Sequence, residues 1–324
     1  MKAALYREYG GPEVVTVQEI ARPEPQPGEV RVRVEAAAVT SADWRLREAA
    51  FPSFTVLPGR LMFGLFRPRK PVLGGAFAGR IDALGEGVSS FQQGQPVFGF
   101  AEGGAGAHAE YLIVKAAGAI AARPERLSAQ EAASLPFGGL AALVFLRDFA
   151  KLKPGERVLV LGASGGVGVH AVQIARALGA DVDAVCGARN AELVRELGAE
   201  RVFDHRQEDF AASGTTWDVI FDCVGASSFG AARGALRETG RYVPLDLDCA
   251  TLFAALTNRF RKGPKVVIGV SPDRREDLET LSAMVTAGTL RPVLDRIYPL
   301  DEARAAHEDV SARRRSGVVV LAMP

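Results

Sequence analysis

Arg157–Ala180 reads RVLVLGASGGVGVHAVQIARALGA, and the order of its parts decides the fold class. Arg157–Leu161 is a short apolar run with β-branched Val158 and Val160, the composition of a buried parallel strand. A turn from Gly162 to Gly168 follows, and then Val169–Leu178 carries apolar residues at helical spacing. Strand, glycine turn and helix in that order form the context in which a glycine fingerprint signals dinucleotide binding. Glycines permit the tight turn and let the backbone approach a pyrophosphate, while N–H groups at the helix start attract the anion. Gly165 and Gly168 fit the pattern, but its first glycine position is Ala163. The turn nominates Ala163, Ser164, Gly165, Gly166, Val167 and Gly168 as cofactor-binding residues.

Downstream, strands and helices alternate: Asp181–Cys186, Ala191–Leu197, Arg201–Phe203, Val219–Asp222, Ser228–Leu236, Gly240–Pro244 and Lys265–Val270. That alternation predicts an α/β domain with a doubly wound parallel sheet. Upstream the chain is β-rich. Lys2–Tyr6, Val14–Ile20, Val30–Ala37, Gly79–Leu84, Pro96–Phe100 and Ala109–Val114 read as short strands joined by Gly/Pro turns, which suggests a partly closed β-barrel. Leu127–Phe149 reads as helix opened by a Ser128/Glu131 capping box, with Pro136 and Gly138-Gly139 breaking it in two. The segment Phe51–Pro71 departs from this rhythm with many apolar residues and a basic end at Arg67, Arg69 and Lys70. It reads as a loop over the small domain or as a lid on an apolar cleft lined by Trp44, Phe51, Phe63 and Phe66. The tail predicts helices at Arg274–Ala287 and Asp301–Val310 and strands at Val293–Tyr298 and Val318–Ala322. Pattern alone leaves open which domain the last strand completes.

Composition narrows the function classes. The chain has 324 residues, 48% hydrophobic and 24% charged, enough for two domains of a globular enzyme. Its net charge of +1 gives no bulk attraction to nucleic acid or membranes. Cys186, Cys223 and Cys249 are far apart with no CxxC pair, as expected of reduced thiols. No signal-peptide pattern and no apolar run near the roughly 20 residues of a membrane span is evident, so the expected location is the cytoplasm.

The end of the second nucleotide-domain strand discriminates NAD from NADP. NAD sites commonly place an acid there for the ribose 2′-hydroxyl. Here Val185–Asn190 holds no acid and ends in Arg189 and Asn190, and a guanidinium can pair bidentately with a 2′-phosphate. NADPH is the expected cofactor, with His205 and Val224 as further candidate binding residues; the alternative is a solvated Arg189 and a helix-capping Asn190. Only His108, His170, His205 and His307 are present, and no cysteine precedes residue 186. A catalytic zinc, which needs about three protein ligands, is therefore not expected. Gly162–Gly166 also spells GxSxG, but in this glycine turn Ser164 is better explained as a phosphate contact than as a nucleophile.

Taken together the features resemble the medium-chain dehydrogenase/reductase superfamily over nearly the whole chain. The resemblance rests on KAALYREYGGPEVV at the start, Pro25–Val30, Pro71–Gly74, Gly85–Val88, Phe91–Gly99, Ala107–Tyr111, Leu135-Pro136, the glycine turn and Gly317–Leu321. It implies a GroES-like catalytic β-barrel domain over 1–120 completed by 271–324, and a Rossmann domain over 121–270. Where zinc-dependent members carry a cysteine and a Gly-His-Glu, this chain has Val39–Asp43 and Gly74-Gly75-Ala76, so it looks like the zinc-free quinone oxidoreductase and alkenal or enoyl reductase branch. That implies hydride transfer from NADPH to a quinone, enone or alkenal in a homodimer, with no nucleic acid or membrane partner. Thr40 and Asp43 are the candidate catalytic residues, although Trp44 stands where that branch often has tyrosine. The alternatives are an NADP-dependent alcohol or ketone dehydrogenase-like enzyme, and an NADPH-binding regulatory protein with little turnover.

Overall fold

Residues 1–51, 55–258 and 262–324 are described in the computed structural model, and they divide after 137 and after 272 into two units. The first unit begins with β1 (Lys2–Leu5), β2 (Thr16–Glu19), β3 (Glu29–Val39), α1 (Ser41–Glu48), α2 (Val56–Phe63), β4 (Ala76–Leu84), β5 (Pro96–Phe100), β6 (Tyr111–Lys115) and β7 (Ile120–Ala122). Its spine is β3, an 11-residue strand paired along one edge with β4. The other edge is shared, with β6 opposite Glu29–Arg33 and the last strand of the chain opposite Ala36–Val39. Val30, Val32 and Val34 alternate into a core with Phe77, Ile81 and Ile120, as a period of two requires. Arg31 falls on the opposite face and pairs with Asp82 at 2.5 Å.

Helix α3 (Ala129–Val144) starts on the expected box: Ser128 N–H donates to Glu131 Oε2 at 2.9 Å, and Glu131 N–H to Ser128 Oγ at 3.2 Å. The expected break is absent. α3 runs through Pro136 and continues into a π-type turn at Phe145–Phe149. Gly138 serves a close approach instead: a Cβ there would stand 2.1 Å from the Gly166 carbonyl oxygen. Ala129–Phe149 is also 21 residues long and apolar enough to cross a membrane, contrary to the sequence expectation. With 72% of that window buried inside the protein, it is a core helix.

The second unit contains β8 (Arg157–Leu161), α4 (Gly168–Ala177), β9 (Asp181–Cys186), α5 (Ala191–Glu196), β10 (Arg201–Asp204), β11 (Trp217–Asp222), α6 (Phe229–Ala232), β12 (Leu236–Pro244), α7 (Cys249–Asn258) and β13 (Lys265–Val266). The order β10-β9-β8-β11-β12-β13 is parallel throughout. The winding reverses at β8, which places a switch point at the carboxyl ends of β8 and its two neighbours. Asp183, buried inside the apolar β9, is held by Trp217 Nε1 at 2.8 Å and Arg157 Nε at 2.9 Å.

The tail returns to the first unit as α8 (Arg275–Thr286), β14 (Leu294–Pro299), α9 (Ala303–Ser311) and β15 (Val318–Ala322). β15 pairs antiparallel with β3 and parallel with β14, which settles the placement that sequence pattern left open. The first boundary falls at 137 and not at 120, because β7 pairs with β5 and the opening half of α3 stays with that sheet. α2 and α7 had no counterpart in the sequence reading.

Helix α1 is tied to α9 by Arg47, whose side chain is fully buried. Its guanidinium donates to Gly10 O at 3.2 Å, His307 Nδ1 at 3.1 Å and Ser311 Oγ at 2.9 Å, and pairs with Glu48 at 2.5 Å. A guanidinium only donates, so His307 accepts on Nδ1. Arg47→Leu leaves those acceptors unpaired and should cost about 3–5 kcal/mol. Urea unfolding measures it, and a loss below about 1 kcal/mol would mean that this buried array contributes nothing.

Candidate functional site

The turn between β8 and α4 is built by close backbone approach. Gly162 has φ of 75°, a left-handed conformation that favours glycine. A Cβ at Gly168 would lie 2.2 Å from the Gly162 oxygen and 2.6 Å from Ala163 Cα, so the helix starts directly against the strand end. Ala163 explains the imperfect fingerprint. Its φ is not positive, its methyl is fully buried, and its N–H and that of Gly162 both donate to Val185 O, at 3.0 and 3.1 Å. The position needing glycine is one residue earlier.

Gly165 N–H bonds Gly162 O at 3.0 Å, while the N–H groups of Ser164, Gly166, Val167 and Gly168 find no protein partner among the described residues. Such a group of unpaired donors at the start of a helix is suited to an anion. A dinucleotide pyrophosphate therefore fits the residues present.

The other candidates converge on this turn from neighbouring strand ends. Asn190 follows β9, and its Nδ2 donates to Ser164 Oγ at 3.0 Å without making a side-chain cap on α5. Arg189, beside it, is exposed and makes no hydrogen bond or ion pair among the described residues. His205 follows β10, with its N–H on Cys186 O at 3.2 Å. Val224 follows β11 and covers Gly162, where a Cβ would meet Val224 Cγ1 at 2.6 Å.

Two supports were not anticipated from the sequence. Asp222, fully buried at the end of β11, accepts from the N–H groups of Val224 at 3.1 Å, Ala226 at 3.0 Å and Ser227 at 2.9 Å. The Tyr242 hydroxyl lies 3.0 Å from Asp222 Oδ2 and 2.8 Å from Ser227 O, so the loop holding Val224 is braced from both sides. The second support is His170, whose Nδ1 lies 2.8 Å from Gly166 O. Its signal is faint: a polar residue four places after Gly166 on a helix otherwise buried. Burial raises the Cys186 thiol to about 11 and pushes Cys223 up as well, so neither is a nucleophilic thiolate at neutral pH.

In the first unit, Thr40 and Asp43 are both buried and engage one another. Asp43 Oδ2 accepts from Thr40 N–H at 2.8 Å and Thr40 Oγ1 at 2.7 Å, and Oδ1 accepts from Gly74 N–H at 2.8 Å. These bonds cap α1 and anchor the Gly74 segment. His108, the nearest histidine in sequence, donates from Nε2 to Ala38 O at 3.0 Å. No group of three potential metal ligands occurs among the described residues. Of the four residues expected to line a cleft, only Phe51 and Phe63 are brought together. Phe51 and Phe63 stack at 5.7 Å beside Tyr6, Leu46 and Leu73, Trp44 lies under the Arg313 guanidinium at 4.6 Å, and Phe66 is 86% exposed.

Comparison with known proteins agrees with this architecture. Residues 26–124 match the alcohol dehydrogenase GroES-like domain, and residues 197–321 match a zinc-binding dehydrogenase family. The quinone oxidoreductase of Sus scrofa is 30% identical over 341 residues, 99% of this chain and 97% of its own. The solved quinone oxidoreductase from Coxiella burnetii superposes with a TM-score of 0.89 at 29% identity, covering 100% of this chain and 99% of that one. The CurK enoyl reductase structure gives a TM-score of 0.87 at 26% identity, covering 100% and 99%.

Burial pushes the His170 pKa down to about 4, against the Gly166 bond, which acts the other way. Unfolding restores an ordinary value near 6.5, so the unfolded chain takes up the proton first as pH falls. The stabilisation is complete above about pH 6.5 and is lost as pH drops toward 4, up to about 3 kcal/mol. Calorimetry between pH 7.5 and 4 should show a shallower acid decline for His170→Asn than for the wild type. Parallel curves would mean that His170 is not held neutral.

Proposed function

Because the chain belongs to the medium-chain dehydrogenase/reductase superfamily, in its quinone oxidoreductase-like branch, we propose that it transfers hydride from NADPH to a quinone, with enones and alkenals as related acceptors. The observation that carries the cofactor reading is the set of unpaired N–H groups at Ser164, Gly166, Val167 and Gly168 beside an unpaired, exposed Arg189. The N–H groups suit a pyrophosphate, and the guanidinium suits a 2′-phosphate. Bound NADPH supplies the hydride at C4 of its nicotinamide. The chain's own task is to fix that dinucleotide: Asn190 and Ser164 join two strand ends, and Asp222 with Tyr242 holds the Val224 loop over Gly162.

The acceptor class rests on the relatives, two of which are called quinone oxidoreductases and one an enoyl reductase. A quinone can take its proton from solvent, so the reading asks for no dedicated acid. Thr40 and Asp43 are assigned a framing role, since their hydrogen-bonding capacity is spent on α1 and Gly74. Zinc has no part in the proposal. The positions where zinc-dependent members carry cysteine and histidine hold Val39–Asp43 and Gly74–Ala76, and the Asp43 carboxylate there is already engaged. A homodimer is the accompanying expectation, supported by the family resemblance.

NADPH consumption over a panel of quinones, enones, alkenals and ketones tests the reaction. Quinone turnover unaffected by chelator is expected, and turnover of ketones alone, abolished by chelator, would replace this reading with a metal-dependent dehydrogenase. Arg189→Glu should weaken NADPH by about 10- to 100-fold while leaving NADH nearly unchanged. Equal losses for both cofactors would remove Arg189 from 2′-phosphate recognition.

A further inference from the structure

His170 has an unexplained cost. It is the third residue of α4, fully buried among Val169, Ala171, Val172 and Ile174. The Gly166 carbonyl can only accept, so the imidazole carries its proton on Nδ1. Nε2 is then a buried acceptor without a partner among the described residues, a cost of about 1–3 kcal/mol that an aliphatic residue would avoid. The bond to Gly166 is what the imidazole contributes in return.

That bond fixes a peptide plane. The chain has no cis peptide among its described residues, and in a trans peptide the carbonyl and the following N–H point to opposite sides. Holding Gly166 O toward His170 therefore turns the Val167 N–H the other way, and this N–H is one of the unpaired donors of the turn. Gly138 closes around the same oxygen: a Cβ there would stand 2.1 Å from Gly166 O and 2.6 Å from His170 Nδ1. Gly166 lacks the Cβ that would restrict its own torsions, so without these neighbours the peptide is free to rotate. A rotated peptide would present a carbonyl oxygen to an anion in place of an N–H.

We propose that His170 is a positioning residue that locks the Gly166–Val167 peptide so that the Val167 N–H faces the pyrophosphate of the dinucleotide. The inference rests on the NADPH reading above. It assigns His170 no contact with the cofactor.

The test is isothermal titration of the full-length protein with NADPH and with adenosine 2′-monophosphate, which lacks the pyrophosphate. His170→Leu should weaken NADPH about tenfold and leave the monophosphate unchanged, whereas His170→Asn, which keeps a donor near the Nδ1 position, should stay close to wild type. Gly138→Ala would crowd both the Gly166 oxygen and His170 Nδ1, and should reproduce the selective loss if the leucine variant fails to fold. Unchanged NADPH affinity in both His170→Leu and Gly138→Ala, or parallel loss of both ligands, would overturn the positioning role. A wild-type protein that binds no NADPH would overturn the cofactor reading itself, and that result is visible before any variant is made.

Discussion

A side chain at Gly168 would collide with the Gly162 carbonyl and Ala163 Cα, and the nucleotide side of this protein depends on that missing carbon. The contact lets α4 begin immediately at the end of β8, so its first N–H groups open at the switch point of the sheet. A longer connection would move those donors away from the strand ends that carry Arg189, Asn190 and Val224. Gly162 takes the left-handed turn and Gly138 admits α3 against the Gly166 oxygen, so three glycines serve one backbone geometry for different steric reasons.

Much of this geometry was readable in the sequence. The runs around β8, α4, β9 and β11 carry period and composition that hardly depend on distant contacts, and they fall within a few residues of expectation. The failures come from tertiary context. Pro136 and Gly138-Gly139 are breakers by local rule, yet α3 continues through them because Gly138 answers to Gly166, 28 positions away in sequence. α2 contains Pro58 and Gly59 and so reads as loop, but Phe51 lies over Gly59 and stacks on Phe63. The cleft expected from Trp44, Phe51, Phe63 and Phe66 treated apolar character as a shared destination. Phe51 and Phe63 instead stack on one another in a local cluster, Trp44 lies under Arg313, and Phe66 faces solvent.

The first unit shows the same limit for polar groups. Asp43 is a candidate for chemistry from sequence, and it is buried inside the fold with Arg47, His108 and His307. Asp43 serves α1 and Gly74, Arg47 joins α1 to α9, and His108 meets the Ala38 carbonyl and lies edge-on to His307 at 5.3 Å. Burial lowers the His307 pKa well below its ordinary value, with His108 and Arg47 adding to the effect, so the array carries one guanidinium charge rather than two cations. Sequence fixes residue type but not this distribution of partners, which depends on α1 and α9 meeting 260 positions apart.

Charge at the strand ends explains why an anion belongs on the nucleotide edge. Asp204 and Asp222, at two of those strand ends, are both engaged by internal donors. Asp204, at the end of β10, accepts from Arg206 N–H and Gln207 Nε2, each at 3.2 Å. Asp222, at the end of β11, takes three loop N–H groups and a tyrosine hydroxyl. Backbone donors of the turn and the exposed Arg189 guanidinium find no protein partner among the described residues, which suits negative charge although the whole chain carries only +1. Under the cofactor reading proposed above, NADPH would meet that field at two points, through its pyrophosphate and its 2′-phosphate, and NADH at one.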